Sequence, residues 1–394
     1  MDIVILLASV LAAAPPIIFA VLGETITEKA GVINLSLDGS ILLSAMTAFI
    51  VATVSGSLLL GMVAAMLVGA LVAGVIAVIS LTLHQPQVAT GFILTLLTRD
   101  LAYVLGNAYT RVPGPQVQHL PIPGLVSLPV VGRIFFDQDP MVYLSLLAIF
   151  LVWFYMNKTQ PGLKLQGLGE RPAAAFARGV NVTRMRYVYT LAGGALVGLG
   201  GAAFSLLVKP GWARPYGIEG TGWIALAIVI FGGWRPLRAA VGAYAFVTLQ
   251  TLANTLQSAM PNVPTQLFPT LPFPLMILTL VLVTLGNAEW LQRSLGRLPD
   301  GLGTDLVAHV HQGGLRTDGQ DDALHGGHVG VLQAKVGGQG DHWQRHFLSW
   351  QVLYRRAHGA SNRQPDGLPA PGRRLRSSAP GLSGFRSGTV PRVI

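Results

Sequence analysis

Polar side chains able to bind a solute stand at two places where the chain is otherwise apolar. Asn34, Ser36 and Asp38 interrupt the hydrophobic sequence after Gly31, and Gln85, Gln87, Thr90, Thr95 and Thr98 lie in or beside the apolar segment 84–100. Amides and hydroxyls in this setting suit hydrogen bonding to a polyol or a nucleobase, and they also satisfy one another across helices. Asn, Ser and Asp are good N-caps, so the first group reads either as the lining of a solute path or as the cap of a broken helix that resumes there. Ionisable groups inside a membrane cost about 2.5–3.5 kcal/mol on insertion scales, which makes them functional candidates. The expected path-lining set is Asn34, Ser36, Asp38, Gln87 and Thr95.

Covalent chemistry finds little support. The chain contains no HExxH, no GxSxG and no evident clustered carboxylate pair within its apolar segments, which argues against a membrane-embedded enzyme. No G-x-x-x-x-G-K-[ST] motif occurs, so nothing cradles nucleotide phosphates in that way. With no cysteine there are no disulfides, thiolate metal sites or cysteine nucleophiles. His309, His311, His325, His328, His342, His346 and His358 show no ligand pattern with acidic companions, and no metal is expected.

The elements that must position these groups are membrane spans. The sequence is 51% hydrophobic and 11% charged, with a mean hydropathy of +0.54, a combination foreign to soluble domains. Apolar runs near 3–22, 32–54, 58–82, 88–106, 141–156, 187–208, 218–233, 238–258 and 272–287 predict an all-α polytopic bundle of about eight to ten spans. The runs at 141–156 and 218–233 fall short of the ~20 residues a perpendicular helix needs, so at least one span is expected to be tilted, broken or re-entrant. The first run lacks a basic leader region and continues past Pro15 and Pro16, so it reads as a retained span. Gly193, Gly194, Gly198, Gly200 and Gly201 fit close helix packing. The predicted organisation is a transmembrane domain over 1–294 and a low-order, His-, Arg- and Gly-rich tail over 295–394 whose composition changes abruptly, as a non-homologous frame would.

A net charge of +10 invites a nucleic-acid reading, but its distribution serves topology instead. The polar segment 157–187 carries Lys158, Lys164, Arg171, Arg178, Arg184 and Arg186 between two apolar runs, and such loops stay cytoplasmic. Alternating outward from it puts Lys29, Arg235, Arg238 and Arg293 on the same side and Arg111, Arg133, Lys209 and Arg214 on the other, leaving Arg99 within a span. The proline-rich segment 107–140 then faces outward, and Trp212 and Tyr216 in a second outward segment read as interfacial belt residues or as a docking site for an external partner.

Three stretches carry a resemblance: GETITEKAGVINLSLDGSILLSA (Gly23 to Ala45), GLGERPAAAFARGVNV (Gly167 to Val182) and GWIALAIVIFGGWRP (Gly222 to Pro236). In this order they resemble the permease subunits of bacterial ABC importers for simple sugars and nucleosides, related to the branched-chain amino acid permeases. The resemblance covers about residues 1–290. It implies a multi-pass protein of the bacterial inner membrane, embedded in the lipid bilayer, that moves a nucleoside or simple sugar. It also implies a separate ATP-binding subunit holding ATP and magnesium, a second permease subunit and an external solute-binding lipoprotein.

In such importers the loop resembling Gly167 to Val182 forms a coupling helix docked on the ATPase. Here Pro172 suits a first helical turn, Glu170 lies near that turn's positive end, Ala173, Ala174 and Ala175 favour helix, and Gly179 reads as the stop. The implied coupling set is Gly167, Glu170, Arg171, Ala174, Ala175, Arg178 and Gly179; on the residues alone the loop is equally a solvated topology marker. Arg99 and Asp100 depart from the small uncharged residues usual at this point of the family. A secondary transporter or channel working without an ATPase is the alternative function.

Overall fold

The computed structural model describes residues 3–259. The expected span at 272–287, Arg293 and the tail over 295–394 lie outside the described residues. Among the described residues every regular element is helical.

The chain enters through a pair of helices, α1 (Ile3–Ala13) and α2 (Pro15–Lys29), bent by 50° where Ala14 meets Pro15. A proline accepts a helix's first turn but cannot continue the one before it. After Lys29 the backbone runs without helix to Ser36, and α3 (Leu37–Ser55) begins only there. α4 (Leu58–Ala77) and α5 (Gln87–Gly106) are full spans. Beyond the segment 107–139 come α6 (Pro140–Lys158), the short helices α7 (Gln160–Glu170) and α8 (Pro172–Ala177), and α9 (Val182–Ala203). The 11-residue α10 (Thr221–Phe231) and the 24-residue α11 (Pro236–Ala259) complete the described chain.

Five helical stretches among the described residues are long and apolar enough to cross a membrane, six if the bent pair counts as one span. Each apolar run read from the sequence up to 258 corresponds to a helix, and the short run at 218–233 is the half-length α10. The run at 238–258 lies within α11, where Gln250, Asn254 and three threonines dilute the apolar character.

The core lies where α9 packs along α2, α3 and α4. It is a glycine-mediated packing. A methyl group on Gly69 would stand 2.2 Å from the Gly194 carbonyl oxygen, and one on Gly198 would stand 2.2 Å from that of Ala65. Backbones in such contact gain dispersion that larger side chains would forfeit, and van der Waals packing is one of the sources of association between helices already in lipid.

Contacts sort the basic residues to two ends, as the alternation predicts. Lys29 meets Glu170 at 3.5 Å at one end, beside Arg235 and Arg238. At the other, Arg111 N–H donates to the Trp212 carbonyl at 3.0 Å, and Val117 N–H to that of Leu206 at 2.8 Å. Trp212 and Tyr216 are not belt residues: they are 2% and 1% exposed. Tyr216 donates to the carbonyls of Lys209 (2.8 Å) and Gly211 (2.6 Å), and Trp212 packs on Tyr216 and Tyr103, so the segment folds back into the protein.

Candidate functional site

Two places carry the residues singled out in the sequence. The first is the non-helical stretch 30–36. Backbone in a membrane must find its hydrogen bonds within the protein, and irregular backbone leaves more of them open than helix does. The polar side chains close them. Gln87 Oε1 accepts from Ile33 N–H at 2.8 Å, and Thr95 Oγ1 donates to the Leu35 carbonyl at 2.8 Å. Asn34 Oδ1 accepts from Ser36 N–H (3.2 Å) and Ser36 Oγ (2.7 Å), and Ser36 Oγ lies 3.1 Å from Ser40 Oγ.

Asp38 reaches further along the chain. Its Oδ1 accepts from Gly220 N–H at 2.6 Å and Gly222 N–H at 3.2 Å. These groups open α10, so Asp38, in the first turn of one interrupted helix, caps another at membrane depth. Gly222 makes this contact possible, since a methyl there would sit 2.2 Å from the Asp38 nitrogen. Asn34, Ser36, Asp38, Gln87 and Thr95 thus converge on one junction, all of them 8% exposed or less. Their polar atoms are turned mainly toward the protein's own backbone.

Sequence reasoning missed one part of this junction. Glu24 and Glu28, 0% and 2% exposed, form a buried carboxylate pair one turn apart on α2. Ending the first span at residue 22 put both in water; the helix instead runs to Lys29. Glu24 Oε1 accepts from Asn34 N–H at 3.0 Å, and Glu28 Oε2 accepts from Trp234 Nε1 just beyond α10. Arg186, counted among the loop cations, is 2% exposed and donates from Nε to the Ala30 carbonyl at 3.2 Å, where a cation favours the C-terminus of α2. The available signal was the spacing Glu24, Glu28, Lys29 just ahead of Ala30 and Gly31, an amphiphilic final turn rather than a loop.

The second place is the α7–α8 pair. Thr159 Oγ1 caps α7, accepting from Gly162 N–H at 3.1 Å, and Pro161 occupies its first turn. Pro172 opens α8 as expected. Gly179, at φ +79°, ends it, with its N–H on the Phe176 carbonyl at 2.9 Å. Leu163, Lys164, Gly167, Glu170, Arg171, Ala174, Ala175, Arg178 and Val180 line a cleft of about 360 Å³ between the two helices. All seven residues of the implied coupling set except Gly179 line it, and Gly179 sets the turn at its edge. Ala175 is turned into its floor, 9% exposed, while Phe176, absent from that set, projects outward at 53% exposed. Lys29 joins this element to the end of α2 through Glu170.

The chain has measurable relatives. The family described as branched-chain amino acid transport system / permease component matches residues 6–280. A putative glucose ABC transporter permease of Haloferax volcanii is 38% identical over 66% of this chain and 81% of its own length. The guanosine ABC transporter permease of Bacillus subtilis is 33% identical over 71% of this chain and 93% of its own length. A nucleoside ABC transporter permease of Lactococcus lactis is 29% identical over 72% and 93% respectively. No solved structure matches the chain. A helical bundle with an interrupted span, a second half-length helix and a paired-helix element at its basic end therefore comes with a family match over most of its described length, and the chain belongs to the branched-chain amino acid transport system / permease component family, as an ABC transporter permease.

Proposed function

We propose that the chain is the translocating subunit of an importer for a nucleoside or a simple sugar in the bacterial inner membrane. The observation that carries this reading is the α7–α8 cleft at the basic end, with small residues in its floor, Phe176 projecting beside it and Arg171 and Arg178 at its rim. An exposed aromatic flanked by cations suits a protein partner, and the partner proposed is the ATP-binding subunit, which holds ATP and magnesium. A second permease subunit completes the membrane part, and an external solute-binding lipoprotein delivers solute to the opposite end.

The geometry supports a route from cleft to solute depth. Glu170 touches Lys29, Glu28 in the same turn of α2 holds Trp234, and Trp234 closes the end of α10 whose start is capped by Asp38. An 11-residue helix is about 16 Å long. Displacement of α7–α8 is thereby passed to the interrupted helices, and binding and hydrolysis on the partner bias which arrangement they adopt. The chain itself performs no covalent step. Co-reconstitution of the full chain with the ATPase, second permease and binding protein is expected to give ATP-dependent solute uptake; uptake by this chain alone, driven by an ion gradient, overturns the reading.

A further inference from the structure

The polar groups of the 30–36 junction are largely engaged by backbone, so a passing solute must be met by other side chains. Arg99 and Asp100 are exposed on α5. Arg99 precedes the end of that helix at Gly106 by seven residues, about 10 Å along its axis. Neither has an ion-pair partner among the described residues. Together with Leu96, Tyr103, Arg214, Pro215 and Glu219 they line a cavity of about 390 Å³. The neighbouring span behaves differently: α4 exposes Leu59, Leu67 and Leu71, each about two-thirds exposed, and carries no charge from Leu58 to Thr82. Exposed charges at this depth face water or protein, because hydrocarbon penalises them heavily.

The cluster is also organised. Glu219 accepts from Tyr216 N–H at 2.8 Å, from Gly217 N–H at 2.5 Å and from the Tyr103 hydroxyl, while the Arg214 guanidinium lies 4.9 Å over the Tyr103 ring. Glu219 precedes the α10 cap directly, which places the cavity beside the Asp38 contact. Two guanidinium groups and two carboxylates among the lining residues balance in formal charge, which suits an uncharged solute. Planar groups that donate or accept at two points match two adjacent hydroxyls.

We infer that this face of α5 borders a hydrated passage, and that Arg99 and Asp100 contact the vicinal hydroxyls of an uncharged solute, either a free sugar or the ribose of a nucleoside. The inference rests on the permease reading of the chain. The protein contains no cysteine, so single cysteines can be placed in the full chain and labelled in right-side-out membrane vesicles with a membrane-impermeant thiol reagent. R99C, D100C and L96C, the last of which keeps both charges, are expected to react at least about tenfold faster than L67C on α4, whose face meets lipid. D-glucose or guanosine is expected to slow labelling at L96C, whereas 2′,3′-dideoxyguanosine is not. Which of the two protects distinguishes the sugar from the nucleoside. Labelling as slow as that of L67C overturns the hydrated passage; labelling indifferent to both solutes, or slowed equally by the dideoxy compound, overturns the diol contact. Labelling needs no ATPase, so its failure is distinct from loss of ATP-dependent uptake, which tests the importer reading.

Discussion

Replacing Asp38 by alanine isolates the contact on which the membrane-depth junction turns. Its Oδ1 accepts two N–H groups at the start of α10, from Gly220 at 2.6 Å and Gly222 at 3.2 Å. Loss of an N-cap costs about 0.5–2 kcal/mol, and each buried donor left unmade costs about 1–3 kcal/mol. The two descriptions overlap, because the cap is the satisfaction of those donors, so D38A is expected to lose roughly 2–4 kcal/mol. Asparagine keeps an acceptor in the same position and gives up only the charge at a helix N-terminus, so D38N is expected to lose no more than about 1 kcal/mol. An 11-residue helix is marginal alone, which leaves little else to offset the loss. Denaturant-induced unfolding of the full chain in detergent, monitored by tryptophan fluorescence, measures both variants against wild type. D38A within about 0.5 kcal/mol of D38N would refute the capping argument, and two equally stable variants that both lose uptake would assign Asp38 to the solute instead.

Three further outcomes follow from named contacts. G179V places a β-branched residue at φ +79°, at a strain of about 1–2 kcal/mol, and is expected to lower ATP-dependent uptake severalfold while membrane insertion stays normal; unchanged uptake would return the α7–α8 element to a topology marker. W234F removes the donor to Glu28 and should cost about 1–3 kcal/mol in the same unfolding assay, against almost nothing if the carboxylate is otherwise satisfied. His119 bonds to Asp137 at 2.8 Å and lies 3.4 Å from Asp139, contacts that raise its pKa against a smaller opposing effect of burial; the charged tie is therefore complete below about pH 6.5 and fades as pH rises through the raised value. Imidazole chemical shifts should give a midpoint above the ordinary histidine value in wild type and a lower one in D137N, and equal midpoints would remove Asp137 as the cause.

The helices were legible because hydrophobic length is a strong signal, and every run up to 258 became one. The short run at 218–233 was readable as incomplete for the same reason: eleven helical residues cannot cross. What α10 starts against was not readable, since Asp38 and Gly222 lie 184 residues apart and the contact depends on a glycine whose role is to be absent as a side chain. The end of α2 misled in the opposite direction. Glu24 and Glu28 are charged by type, and hydropathy placed them in water, yet tertiary contacts from Asn34 and Trp234 keep them inside. The α7–α8 element was legible in its turns, through Pro172 and Gly179, but not in its faces. A six-residue helix with four alanines shows no periodicity from which to tell that Ala175 points inward and that Phe176 points out.

The arrangement of these parts bears on why the irregular backbone lies where it does. A continuous helix from Lys29 to Ser55 would satisfy its own hydrogen bonds and would have no need of Gln87, Thr95, Asn34 or Asp38. Interrupting it transfers that satisfaction to side chains on α5 and to the start of α10, so the two broken elements cannot move independently of the span beside them. Movement introduced at the Lys29–Glu170 contact therefore has few directions open to it. α2 and α10 are joined at Glu28 and Trp234, α10 and α3 at Asp38, and the unwound stretch and α5 at Gln87 and Thr95. The charged cavity of Arg99 and Asp100 lies on the C-terminal half of that same α5. A junction held by single hydrogen bonds rather than by a helical ladder can exchange partners one at a time, at about 0.5–1.5 kcal/mol net for each. Two arrangements of the junction can then lie close in energy, which is the condition the proposed ATP-binding partner needs in order to choose between them.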